Sequence, residues 1–141
     1  MFNLPADAIS AYIAGQTLGF FSNATAYATA SGAIDCSARA ASQFQSPPDV
    51  ARAFGPLFVN PDAVTGAPYD YPQVADGSFA GTLTGKVAVG SATIDVTLLI
   101  VTFRQGNVTV VIGSARSGTV PPVAELAPLI NLVIARLKAA Q

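Results

Sequence analysis

Hydrophobic and polar positions are most regularly arranged in the C-terminal half of the chain. Ser78 to Val89, Ala92 to Phe103 and Asn107 to Ala115 are strand-like runs. Gly90-Ser91 and Arg104-Gln105-Gly106 separate them, and both suit hairpin turns. In the middle run Ile94, Val96, Leu98, Ile100 and Thr102 share one face of a strand. Asp95, Thr97, Leu99, Val101 and Phe103 share the other. Leu98 to Val101 is apolar on both faces, which predicts a central strand covered on both sides near its end. After a turn at Gly118 to Pro122, Val123, Leu126, Ile130, Val133, Ile134 and Leu137 recur at intervals of 3–4 residues. That spacing predicts an amphipathic helix lying on the sheet. Pro128 interrupts it, so the helix either kinks there or begins there.

The N-terminal half is less regular. Asp7 can cap a helix from Ala8 to about Phe21, with Ile9, Ile13, Thr17 and Phe20 or Phe21 on one side. Gly15 and Gly19 weaken it. Asn23 to Ser31 is polar and alanine-rich, without a strong period. Ala33 to Gln45 reads as a weak strand in which Ile34, Cys36, Ala38, Ala40, Ser42 and Phe44 share a face, although alanine is a poor strand former. Ser46-Pro47-Pro48-Asp49 starts a helix with Val50, Ala53, Phe54 and Leu57 apolar, ended by Gly55 and Pro56. Asn60 to Asp76, rich in proline and acid, reads as a long irregular loop, and loops of that length are often functional. The order of elements predicts a single α+β domain over residues 1–141. It consists of an antiparallel sheet with a C-terminal three-stranded meander. An N-terminal helix, a short middle helix and a C-terminal amphipathic helix pack against it.

Composition narrows the function classes. Hydrophobic residues make up 51% and charged residues 11% of the 141. This balance is opposite to that of a disordered chain. Seven basic and eight acidic residues leave a net charge of −1, with no basic patch for nucleic acid. Polar residues such as Ser10, Gln16, Ser22 and Asn23 interrupt residues 8–34 too often for a transmembrane span. The first positive charge is Arg39, too late for the basic start of a signal peptide. A surface of Ser, Thr, Ala and Gly nevertheless suits an extracytoplasmic or secreted protein.

Three stretches resemble a known type of module. They are Phe44 to Phe54, Val74-Ala75-Asp76-Gly77-Ser78-Phe79-Ala80, and Val101-Thr102-Phe103-Arg104-Gln105-Gly106-Asn107-Val108. With the closing helix through Ala135-Arg136-Leu137, their order is similar to small extracytoplasmic modules of bacterial secreted proteins and lipoproteins, of the Mog1/PsbP-like type. The resemblance spans roughly residues 40–138. It implies a fold class and a location, with no common catalytic residues to carry over. Its motifs read as structural.

The chemistry-bearing residues are few. There is no histidine and one cysteine, Cys36. A thiol nucleophile therefore lacks its usual base, a Cys/His zinc site cannot form, and Cys36 reads as a small half-buried hydrophobe. Asp62, Asp70 and Asp76 share the long loop with Tyr69 and Tyr71, but no spacing matches a calcium loop, so neither metal nor cofactor is expected. Glycines at 77, 81, 85, 90, 106, 113 and 118 form no phosphate-binding fingerprint and read as turns and bulges. Asn23-Ala24-Thr25 and Asn107-Val108-Thr109 match a glycan acceptor, a pattern frequent by chance. Asp95 is an acid inside an apolar strand. If covered, it is a candidate buried acid beside Arg104 or Lys86; if near the open start of the strand, it simply faces water.

These readings point away from an enzyme. The favoured expectation is a non-enzymatic extracytoplasmic module binding a small apolar molecule or a protein partner. Its expected pocket lies between sheet and helices, with Phe54, Phe58, Tyr69, Tyr71, Leu98 and Phe103 as candidate ligand-binding residues and Ile100 beside them. The alternative is a structural or self-assembling cell-surface subunit, since few charges guard the strand edges and a homo-oligomer would follow. A cofactor-free enzyme built on carboxylates and tyrosines ranks third.

Overall fold

Strand β4, Ala92–Gln105, lies in the middle of a five-stranded antiparallel sheet. The sheet belongs to a computed structural model that describes residues 17–140. It contains β1 (Thr17–Ala26), β2 (Thr65–Pro68), β3 (Gly77–Val89), β4 and β5 (Val108–Ser117), in the spatial order β1-β5-β4-β3-β2. The helices are α1 (Ala30–Gln43), α2 (Pro47–Ala53) and α3 (Val123–Ala140). Short 3₁₀ turns occupy Gly55–Leu57 and Pro61–Ala63. The α+β class and the β3-β4-β5 meander match expectation, but the meander is the middle of a wider sheet.

The period-2 pattern of β4 sets the layers. Its even positions Ile94, Val96, Leu98 and Ile100 join Phe44, Ala51, Phe58 and Leu83 in one core cluster, beneath α1 and α2. Its odd positions Leu99, Val101 and Phe103 join Tyr71, Val110, Ile112, Leu126 and Ile130 in the other, beneath α3. Helices therefore cover both faces of the sheet.

Two N-terminal expectations change. Residues 8–16 of the expected first helix lie outside the described residues, and Thr17 to Phe21 belong to strand β1. The segment expected as a strand, Ala33 to Gln45, instead falls in helix α1 as far as Gln43, with Phe44 as its C-cap and Gln45 in the turn that follows. Its burial follows a helical period, since Ala33 and Phe44 are buried and Cys36, Ala40 and Ala41 half-buried. Ile34, expected to share a strand face with Cys36 and Phe44, is 50% exposed while Phe44 is buried. Thr29 is extended and its side chain accepts from the Gly32 N–H at 3.3 Å, a cap that starts the helix. The Thr109 hydroxyl donates to the Ala33 carbonyl at 3.3 Å and ties this helix to β5.

The Pro-Pro start of α2 is as expected, with proline in its first turn. The Ser46 hydroxyl donates to the Asp49 carboxylate at 2.6 Å instead of accepting a backbone bond. The long loop is less irregular than its sequence suggests, because Thr65–Pro68 adds an edge strand to β3. Helix α3 begins at Val123, ahead of Pro128. The acceptor that this proline leaves free, the Ala124 carbonyl, belongs to an exposed residue, so water can satisfy it. The first turn is held by Arg116, whose Nη2 lies 2.7 Å from the Glu125 carboxylate.

Glycines divide into two groups. Gly90, Gly106 and Gly118 have positive φ (60°, 60° and 73°) and form turns, as expected. Gly81, Gly85 and Gly113 are not bulges but flat seats for aromatic rings on the α1/α2 face. A Cβ on Gly81 would lie 2.5 Å from the Phe44 ring, and one on Gly85 would lie 2.7 Å from the Phe58 ring. Phe21 lies over Gly113 in the same way. Gly81→Val is therefore expected to lower stability by about 1–3 kcal/mol through overpacking. Gly77→Ala, at a position with nothing within 4 Å, should stay near the parent. Urea unfolding midpoints of the two variants check this.

Candidate functional site

The two helical layers cover the sheet unevenly. On the even face of β4, α1 and α2 stop short of the β3–β4 hairpin. What remains is an open groove of about 570 Å³. Its floor is Ile94, Val96, Leu98, Val87, Val89 and Ala115 from the sheet. Leu18 to Phe21 of β1 form one wall, and Phe54 with Leu57, just after α2, the other. Every lining residue is apolar or glycine. The walls meet where Phe21 and Phe54 pack edge to face, with ring centroids 5.3 Å apart and planes at 77°. Phe20 is 53% exposed, while Leu18, Leu57 and Val89 are each 38–39% exposed.

This geometry sorts the expected ligand-binding residues. Phe54 and Leu98 line the groove. Phe58 is also on the α1/α2 side, but at 3% exposure it is core, seated over Gly85. Tyr69, Tyr71 and Phe103 lie across the sheet in the α3 cluster. Phe103 is fully buried there, and the Tyr71 hydroxyl donates to the Val123 carbonyl at 3.3 Å. The six residues therefore do not form one site, because a continuous sheet separates them. Leu18 to Phe21 complete the groove, and in the sequence the helical spacing from Ile9 onward masks their strand character.

Asp95 is not a buried acid. Its side chain is 64% exposed and pairs with Lys86, its cross-strand neighbour, at 2.9 Å. On this face burial begins only at Thr97, so the sheet meets water at position 95. A pair this exposed adds little stability. Of the loop acids, Asp62 and Asp76 are engaged separately. Asp62 pairs with Arg52, which also binds Asp49 at 2.5 Å. Asp76 accepts from the Gly106 N–H at 2.7 Å and lies 3.5 Å from Arg104 Nη1. It thereby pins the β4–β5 hairpin, joining the Asp76-Gly77-Ser78 and Arg104-Gln105-Gly106 stretches structurally. Among the described residues no three His, Cys, Asp or Glu side chains come together to hold a metal. Asn107 of the second glycan-type triplet donates its amide to the Tyr27 carbonyl at 2.6 Å.

A second cavity, of about 500 Å³, lies between α1 and the sheet and is more polar. Tyr27, Asp35, Cys36, Arg39 and Gln43 border it, with Thr102 and Thr109. Cys36 is half-buried, as expected. The phenol of Tyr27 is held above its ordinary range, chiefly by its hydrogen bond to Cys36 and then by desolvation. With no histidine in the chain, this cavity lacks the imidazole that usually activates a thiol.

The chain matches no known family model, no curated protein and no solved structure. Among the described residues no helix is long and apolar enough to cross a membrane.

Tyr71 provides a test of the α3 layer. Burial, with a smaller contribution from Tyr69, holds its phenol above the usual value of 10.0. The unfolded chain therefore loses this proton first. The associated stability is complete below about pH 10 and is lost as pH rises through the folded value. Tyr71→Phe should flatten the decline of urea midpoints measured between about pH 9 and 11. Parallel curves for parent and variant would mean that Tyr71 is not the group responsible.

Proposed function

We propose that this protein is a non-enzymatic extracytoplasmic module that binds a small apolar molecule in the groove between β1, the end of α2 and the β3–β4 hairpin. One observation carries the reading: the groove is walled wholly by apolar residues and glycine, yet Leu18, Leu57 and Val89 stay accessible. Solvent-facing apolar walls are unfavourable unless something covers them. A volume of about 570 Å³ falls within the range that accommodates a drug-sized ligand. No charged or hydrogen-bonding side chain lines the groove, so selection rests on shape and apolar area. A lipid-like or aromatic molecule suits it better than a polar metabolite. The location rests on composition: charged residues supply only 11% of the chain.

Titration with Nile red tests the reading. Saturable fluorescence with one dye per chain is expected. Leu57→Asp and Val89→Asp each put a charge in a wall at a partly exposed position and should leave the core intact. Each should weaken the dye by about tenfold or more, equivalent to about 1.4 kcal/mol. Unchanged affinity in both folded variants would remove the groove as the site.

A further inference from the structure

The two edges of the sheet differ sharply. On one side β2 has only four residues, ending at Pro68. Farther along that edge the Val59 N–H donates to the Lys86 carbonyl at 2.9 Å, and Phe58 bridges to Val87. Proline, lysine and a crossing segment all protect a sheet edge. On the other side β1 is ten residues long, with no proline and no charged side chain. Among the described residues nothing pairs with its outer side.

The register identifies the open backbone groups. The Tyr27 N–H donates to the Asn107 carbonyl, so it points inward. Thr25↔Thr109, Asn23↔Val111, Phe21↔Gly113 and Gly19↔Ala115 continue the same pairing. Alternate residues of an antiparallel strand direct their N–H and C=O groups to the same side. Phe20, Ser22, Ala24 and Ala26 therefore present theirs outward.

We propose that the β1 edge pairs antiparallel with the β1 edge of a second copy of this chain, joining two sheets across a two-fold axis at Asn23. In that register Phe20 faces Ala26 of the second copy, and Ser22 faces its Ala24. The four outward residues of each strand satisfy those of the other. The 53%-exposed Phe20 ring lies over a small alanine. No like charges meet, because no charged residue occurs in β1. A second copy fits this edge because the row is self-complementary under an isologous two-fold.

Sedimentation equilibrium on the full chain tests the proposal. A monomer–dimer equilibrium with a midpoint on the order of tens of micromolar is expected, since one strand pair lies at the small end of specific interfaces. Ala24→Pro removes an outward N–H and costs no bond to β5, and proline is tolerated on such an edge. Ser22→Lys places like charges near the axis. Each should weaken the dimer by about tenfold or more, while thermal unfolding of the dilute monomer stays near the parent. Amide exchange at Phe20, Ser22, Ala24 and Ala26 should slow as concentration rises. A parent that remains monomeric up to about 500 µM, well above the expected midpoint, overturns the proposal. So does a dimer that survives both variants unchanged.

Discussion

Strand β4 carries apolar side chains on both faces from Leu98 to Val101, and such a strand is stable only with a layer against each face. From that constraint comes the α-β-α layering. Helices α1 and α2 must meet the even positions, and α3 must meet the odd ones. The β3–β4 and β4–β5 hairpins keep β4 away from both edges. A charge near the middle of β4 would face apolar packing whichever way it pointed. Asp95 is tolerated because it lies before the α3 layer begins, where Lys86 and water can reach it.

The α1/α2 face is built differently from the α3 face. Beneath α3, branched aliphatic residues, Phe103 and Tyr71 fill the space between helix and sheet. Beneath α1 and α2, the rings of Phe21, Phe44 and Phe58 occupy the space beside Gly113, Gly81 and Gly85 that a side chain there would fill. Removing side chains from β3 and β5 lets rings from other segments fill the gap, and Gly113 and Gly81 flank Ile100 on β4. The fit is close, but it depends on rings supplied by β1, the end of α1 and the segment after α2. Where those segments end, near the hairpin, the sheet has no cover and the apolar groove opens.

Groove and edge share strand β1. Its residues Leu18 to Phe21 wall the groove, and its outward backbone groups form the unprotected edge. The proposed ligand groove and the proposed pairing edge are thus physically adjacent. Neither needs an ionisable group, consistent with a chain whose charged residues are engaged mainly in pinning turns and helix starts. Asp76 with Arg104 holds a hairpin, Glu125 with Arg116 holds α3, and Arg52 links α2 to the loop that follows it.

The sequence by itself determined the elements whose periodicity is local and strong. The three long strands, their glycine turns, the proline-led α2 and the apolar stripe of α3 are all legible, because period 2 and period 3.6 leave different marks. The two-sided burial of β4 was legible from Leu98 to Val101 for the same reason. Only the tertiary structure decided the state of Ala33 to Gln45. Its alanines satisfy either period, and the Thr29 cap, with Ala33 and Phe44 meeting the sheet, settles it as helix as far as Gln43. Tertiary structure alone also showed that Tyr69, Tyr71 and Phe103 lie across the sheet from Phe54 and Leu98. Which face an aromatic side chain joins depends on the strand register and on how loops return, and neither is written in local composition. The groove itself is a region that two helices fail to reach, and a gap of that kind leaves no periodic signal in the residues around it.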